Sequence, residues 1–230
     1  ITNNKDADFF YINSYHLDTD YIFSFPQPFD IKNLPSTSVM EPFSKYKNSK
    51  KLNFMDLIDP KISFDFLGGM FLAVFRKKNW DKNINHLDSF AIKDSNTFSH
   101  FDNTFPHIKI FSKAFSKSKA YFHAEPLSVC LTGAREWSDL HLFVRSFRLI
   151  EALNEYKKNG LSSYNYYLCR NYGLRTFIPD LAWIVLNYKI SGIQYIKPIK
   201  HIIYNIFYPN VYLSVFYYFR RKIFNLKKFL

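Results

Sequence analysis

Between Phe98 and His107 the chain brings His100, Asp102 and His107 together just ahead of a predicted helix. Asp102 in such a place can serve as a general base, taking a proton from an acceptor hydroxyl as its oxygen attacks a carbon centre. His107, in the first helical turn, can instead bind a phosphate or an acceptor hydroxyl. The plainer alternative is that Asp102 or Asn103 caps the helix and satisfies its free amides. A second group is Arg135 and Trp137, within Gly133-Ala-Arg-Glu-Trp137. Arg135 can neutralise a diphosphate leaving group and Trp137 can stack on a ring face; equally, both can anchor the start of a helix. Gly68 and Gly69 form the third candidate. They sit in the apolar run Phe64–Phe75, where glycine costs backbone entropy unless the chain bends or a ligand approaches closely.

Two Asp-x-Asp strings, Asp6-Ala7-Asp8 and Asp18-Thr19-Asp20, have the spacing that can hold Mg²⁺ or Mn²⁺ against a diphosphate. Neither follows a buried strand, and both read more simply as surface turns. The seven histidines show no zinc-type spacing. No phosphate-binding loop, dinucleotide glycine signature or nucleophile elbow is present in the sequence.

The elements that must position these groups are legible from pattern. Phe9–Ile12 reads as a strand and Tyr21–Phe25 as a second extended segment. A Pro-, Ser- and Lys-rich stretch from Pro26 to Asn53 reads as a long loop. Trp80–Phe90 reads as a short helix or turn. Phe105–Phe115 has Pro106 near its first turn and apolar residues at helical spacing. Strands follow at Ala120–Ala124 and Leu127–Leu131. Ser138 can cap a long helix to Lys158, stopped by Gly160, and further helical stretches follow Ser162 and begin at Pro179. Strand-rich and mixed first, then helical, this order implies an α/β fold with a helical tail, divided at residues 1–160 and 161–230.

Composition narrows the rest. At 230 residues and 47% hydrophobic the chain can bury a real core, and its 20% aromatic content is well above ordinary usage. An AT-rich genome would produce the Phe and Tyr excess without a functional cause. The net charge of +12 is concentrated in the tail. From Leu181 onward there is no acidic residue, whereas Lys189, Lys197, Lys200, Arg220, Arg221, Lys222, Lys227 and Lys228 are basic. Such a block meets something anionic, either phospholipid headgroups or nucleic acid. Ile202–Phe219 is apolar and aromatic but interrupted by Asn and Pro, which suits a helix lying on a membrane surface better than one crossing it. Two cysteines make no disulfide framework, and a reducing cytoplasm is expected.

The ordered set Phe66-Leu-Gly-Gly-Met-Phe71, Phe75-Arg-Lys-Lys-Asn-Trp80, Phe105-Pro-His107, Glu125-Pro-Leu127 and Gly133–Trp137 resembles family 2 glycosyltransferases, specifically the abequosyltransferase-like subgroup of O-antigen synthesis. The resemblance covers Asp6 to Trp137. It implies a partial nucleotide-diphospho-sugar transferase fold (GT-A-like), with the donor-binding half outside this chain. It further implies inverting transfer from a nucleotide-sugar donor to a lipid-linked or polysaccharide acceptor in bacterial surface glycan, including lipopolysaccharide, synthesis. Gly68 and Gly69 would line the sugar cleft. The family's base belongs to a Glu-Asp pair, where this chain has Phe101-Asp102, with His107 as the competing candidate. A divalent metal, Mg²⁺ or Mn²⁺, is expected on ligands outside the chain. The location implied is cytoplasmic, peripheral on the inner face of the membrane, with anionic lipid rather than nucleic acid as partner. The rival readings are a basic aromatic nucleic-acid-binding module and a non-catalytic accessory protein of an envelope-glycan locus.

Overall fold

The aromatic run Phe9–Ile12 forms the central strand, β1, of the computed structural model, which describes residues 4–18, 32, 35–96, 98–132 and 140–226. Its first three residues are buried whichever face they point to, an environment that bulky aromatic residues fill well. β1 pairs antiparallel with β5 (Ala73–Phe75) and parallel with β6 (Lys119–His123). On the far side of β6 lies β4 (Lys50–Asn53), antiparallel, giving the order β4-β6-β1-β5. Beyond Asn13-Ser14 the same parallel pair continues into a second sheet. There β2 (Tyr15–Asp18) runs parallel to β7 (Val129–Thr132), with β3 (Glu41–Pro42) antiparallel on its other side.

Asn13 joins the two sheets. Its buried side chain donates to the carbonyls of Ser44 and Ala124, at 2.9 and 2.8 Å. Its Oδ1 accepts from the amides of Ser14 and Ser44, at 3.0 and 2.9 Å. Every hydrogen-bonding position of the amide is therefore used, and the segments at Ser44 and Ala124 are both tied to the one that carries Asn13.

Six longer helices accompany the sheets: α1 (Pro106–Ala114), α2 (Leu149–Lys158), α3 (Ser163–Gly173), α4 (Phe177–Leu186), α5 (Pro198–Asn205) and α6 (Pro209–Leu226). Pro106 takes the first turn of α1, where its missing N–H costs nothing. Ser162 caps α3 through its side chain, which accepts from the Asn165 amide. A short helix, His141–Phe143, and a π-helical turn, Val144–Arg148, lead without a break into α2. Gly160, at φ +115°, follows the end of α2.

The core is built of rings. Phe9 touches Phe54, Phe111 and Phe115 edge-on, at centroid distances of 4.9, 5.1 and 5.2 Å. Leu161, Cys169, Phe177 and Val211 belong to the same buried cluster as Phe9. The helical region beyond residue 160 thus packs onto the core of the α/β part instead of enclosing a separate one.

The chain is mixed α/β, with two mixed sheets and helices. Part of the stretch expected to be a loop from Pro26 to Asn53 is ordered, because β3 and β4 are recruited as partners by β2 and β6. The extended segment expected at Tyr21–Phe25 and the cap at Ser138 lie outside the described residues. No helix among the described residues is long and apolar enough to cross a membrane.

Candidate functional site

Asp65 is the one charged residue in the apolar run Phe64–Phe75, and it organises a tight turn. Its Oδ1 accepts from the Ser63 hydroxyl at 2.8 Å and from the Leu67 amide at 3.3 Å, while its Oδ2 accepts from the Gly69 amide at 2.8 Å. Inside the turn Phe66 and Leu67 take φ values of 52° and 66°, a left-handed conformation that costs side-chain-bearing residues about 1–3 kcal/mol each. The reward is that two consecutive side chains, Phe66 and Leu67, are both fully buried.

Strain of this kind persists only where the surroundings fix it. The Tyr156 hydroxyl donates to the Phe66 carbonyl at 3.0 Å, and His107 Nε2 lies 3.0 Å from the Leu67 carbonyl. A third left-handed residue, Phe98 (φ 66°), is held similarly: buried Arg148 donates to the carbonyls of Phe98 and Ser99, the latter at 2.7 Å.

Phe66 and Phe98 border a cleft of about 750 Å³, a volume suited to a small ligand. Asp65, Gly68 and Gly69 line it together with Thr104 and Phe105 from the segment ahead of α1. One wall is aromatic. Phe43 and Phe64 are stacked at 5.6 Å with planes 4° apart, and Phe71 meets Phe43 edge-on at 5.2 Å. Arg145, Arg175 and His141 line the cleft as well. Arg145 is clamped by both oxygens of buried Asp180, at 2.6 and 3.1 Å. Arg175 lies over the Tyr172 ring at 3.9 Å.

The electrostatics separate the candidate bases. Burial pushes the Asp65 carboxyl above the usual carboxylate range, with the Ser63, Gly69 and Leu67 hydrogen bonds pulling the other way. A carboxylate so raised is a stronger base nearer neutral pH. Tyr156 is held protonated, by burial first and by the charge of Asp65 second. Burial lowers His107 to about 4, against the opposing pull of its bonds to the Leu67 and Gly68 backbone, so the ring is neutral. A carbonyl can only accept, so Nε2 carries the proton and is committed. His141 is depressed by burial and then by Arg145.

The expected site residues separate accordingly. Gly68 and Gly69 do line the cleft. A side chain on Gly68 would meet the Asp65 carbonyl at 3.0 Å and Leu149 at 3.1 Å; one on Gly69 would meet the Phe71 ring at 2.6 Å. The glycines therefore allow close packing of the turn. Asp102 does not face the cleft. It is buried, and its Oδ2 accepts from the Asp88 amide and from Lys109, both at 2.6 Å. Its work is to tie the segment before α1 to its neighbours, because a buried carboxylate must be matched by donors. His107 also lies beneath the cleft, supporting the turn from behind. Arg135 and Trp137 lie outside the described residues. Asp6 and Asp8 make surface ion pairs, with Lys51 at 2.9 Å and Arg76 at 2.7 Å.

Among the described residues, no three His, Cys, Asp or Glu side chains converge as a metal site. Sequence reasoning passed over Asp65, Arg145, Arg175 and the Phe43–Phe64–Phe71 wall. The available signal was Asp65 itself, a lone carboxylate in an apolar run beside two glycines. No protein-family model matches the chain, and neither the curated proteins nor the solved structures match it.

Proposed function

We propose that this chain is the acceptor-side part of an inverting glycosyltransferase of the family 2 type, with a GT-A-like fold. It would transfer a sugar from a nucleotide-sugar donor to a lipid-linked or polysaccharide acceptor in surface-glycan synthesis. The observation that carries the reading is the Asp65 carboxylate in a ligand-sized cleft that is also lined by the Phe43, Phe64 and Phe71 rings and by Arg145 and Arg175.

Asp65, rather than Asp102, is the general base in this reading. The acceptor hydroxyl gives its proton to Asp65 as its oxygen forms a bond to the anomeric carbon. The bond from that carbon to the nucleotide diphosphate breaks on the opposite face, which inverts the configuration. The hydrogen bonds from Ser63 and Gly69 fix the carboxylate, so little reorganisation accompanies the transfer. Phe64 and Phe71 offer partly exposed rings on which an apolar sugar face can rest. Arg175 puts positive potential where negative charge grows, whereas the charge of Arg145 is matched by Asp180. A divalent metal would supply further charge neutralisation to the leaving group. No donor set for it is found among the described residues.

With a lipid-linked acceptor, the reaction belongs at the inner, cytoplasmic face of the membrane. The test is a transfer assay on the product of the full reading frame, with nucleotide sugars and lipid-linked oligosaccharide. Asp65→Asn is expected to lower turnover at least about 100-fold while leaving donor affinity within about threefold. Turnover close to that of the parent protein would remove Asp65 from the role.

A further inference from the structure

More than half of the exposed large apolar side chains among the described residues lie between Val185 and Ile223. The pattern is clearest on α6. Val211 and Ser214 are buried against the body, and Ser214 accepts from the Ile178 amide at 3.3 Å. At about 100° per residue, Phe216 projects about 140–160° away from those two positions. With it run Tyr212, Phe219 and Ile223, at i, i+4, i+7 and i+11, exposed to 67%, 60%, 59% and 55% for Tyr212, Phe216, Phe219 and Ile223. A helix normally turns such a stripe toward a core. Here the stripe faces outward.

We propose that this outward stripe docks on an anionic lipid leaflet, with α6 lying in the interface. The charges choose the occupant. At about 100° per residue exposed Arg220 and Lys222 flank the stripe about 70–90° to either side, exposed Arg221 lies on the opposite face, and no acidic residue occurs from Leu181 onward. Two copies meeting through this face would bring like charges together, whereas phospholipid headgroups would neutralise them. The ammonium groups of Lys189, Lys200 and Lys222 lie over Tyr188, Tyr204 and Tyr218 at 6.0, 5.8 and 5.8 Å. Such pairs of an amphipathic ring and a long cation suit the headgroup level. Three cations in succession also set α6 along the surface and not through it.

The inference deepens the membrane-side placement in the proposed function, but its test requires no transfer activity. The 230-residue chain is sedimented with vesicles of phosphatidylcholine alone or with 30% phosphatidylglycerol, at low and high salt. We expect binding to the anionic vesicles that weakens with salt. Phe216→Ser with Phe219→Ser should weaken it at least about tenfold, because two apolar side chains no longer insert. Arg220→Glu with Lys222→Glu should abolish the preference for phosphatidylglycerol. Both pairs are exposed, so circular dichroism should be unchanged. Equal partition of the parent and the Phe pair would overturn the proposal. So would a dimer, seen by analytical ultracentrifugation, that the Phe pair dissolves without any vesicle binding. Retention on duplex DNA in preference to vesicles would overturn it too. Failure here would leave the Asp65 assay untouched, and the reverse holds.

Discussion

His107 Nε2 donates to the carbonyl oxygen of Leu67 across 3.0 Å, and so an imidazole beneath the cleft fixes the strained turn that carries Asp65. The same device holds Phe66 through Tyr156 and Phe98 through Arg148. Each left-handed, side-chain-bearing residue among the described residues has its carbonyl taken by a side chain of the buried interior.

The neutral state of His107 makes stability depend on pH. Its folded value of about 4 lies below the ordinary 6.5, so the unfolded chain takes up the proton first. Stability is full above about pH 6.5 and declines as pH falls toward 4, by about 3 kcal/mol from this residue. His107→Gln keeps an N–H donor and removes the titration. Denaturant melts from pH 7 to 4 should show a flatter decline in that variant.

Asp65 has the opposite sign. Its carboxyl is raised in the fold, so its ionisation opposes folding. The stability of its protonated form is present below the ordinary carboxylate range and is lost as pH rises through the folded value. Asp65→Asn should therefore match or exceed the parent in thermal stability at pH 7. That advantage should shrink in acid. A large loss of melting temperature at pH 7 would show that the hydrogen bonds to Ser63 and Gly69 outweigh burial.

Asp102→Asn should act on stability alone. The charged bond to Lys109 is lost in a buried setting, a cost of about 2 kcal/mol. Turnover and substrate affinity should stay near parent values at temperatures where the variant is folded. A hundredfold drop in turnover would return Asp102 to the chemistry.

The two glycines should differ when replaced by alanine. At Gly68 the obstacle is the backbone carbonyl of Asp65 at 3.0 Å, which cannot yield, and a loss of about 1–3 kcal/mol is expected. At Gly69 the nearest obstacle is the far end of the half-exposed Phe71 ring, which can swing aside, with Asp65 Oδ2 next at 3.1 Å. Gly69→Ala should cost less in chemical denaturation yet disturb ligand binding to the aromatic wall.

Arg148→Lys tests the Phe98 corner. Guanidinium reaches Phe98, Ser99 and Glu151 together, and an ammonium cannot reproduce that fork. A loss of about 2–4 kcal/mol in unfolding free energy is expected.

Much of the fold was legible because its cues are local. Phe9–Ile12 and Ala120–Ala124 declared themselves by composition, Pro106 marked the start of α1, and Ser162 marked that of α3. β3 and β4 were not legible, since Glu41-Pro42 and Lys50–Asn53 are strands only through the partners they meet. The site divided in the same way. Gly68 and Gly69 could be found because glycine in an apolar run is conspicuous. Asp102 and His107 attracted attention as titratable neighbours, yet which way a side chain points is set by packing. Arg145 and Arg175 meet Asp65 at the cleft only through packing of segments far apart in the chain.

The fourfold tethering of Asn13 has a mechanical consequence. β2 and β7 bring His16, Cys130 and Leu131 to one rim of the cleft, and they are continuous with the strands of the first sheet. That rim cannot swing outward without breaking the fastening at the seam. The separation of the two sheets on that side of the cleft is thus pinned by a single buried amide.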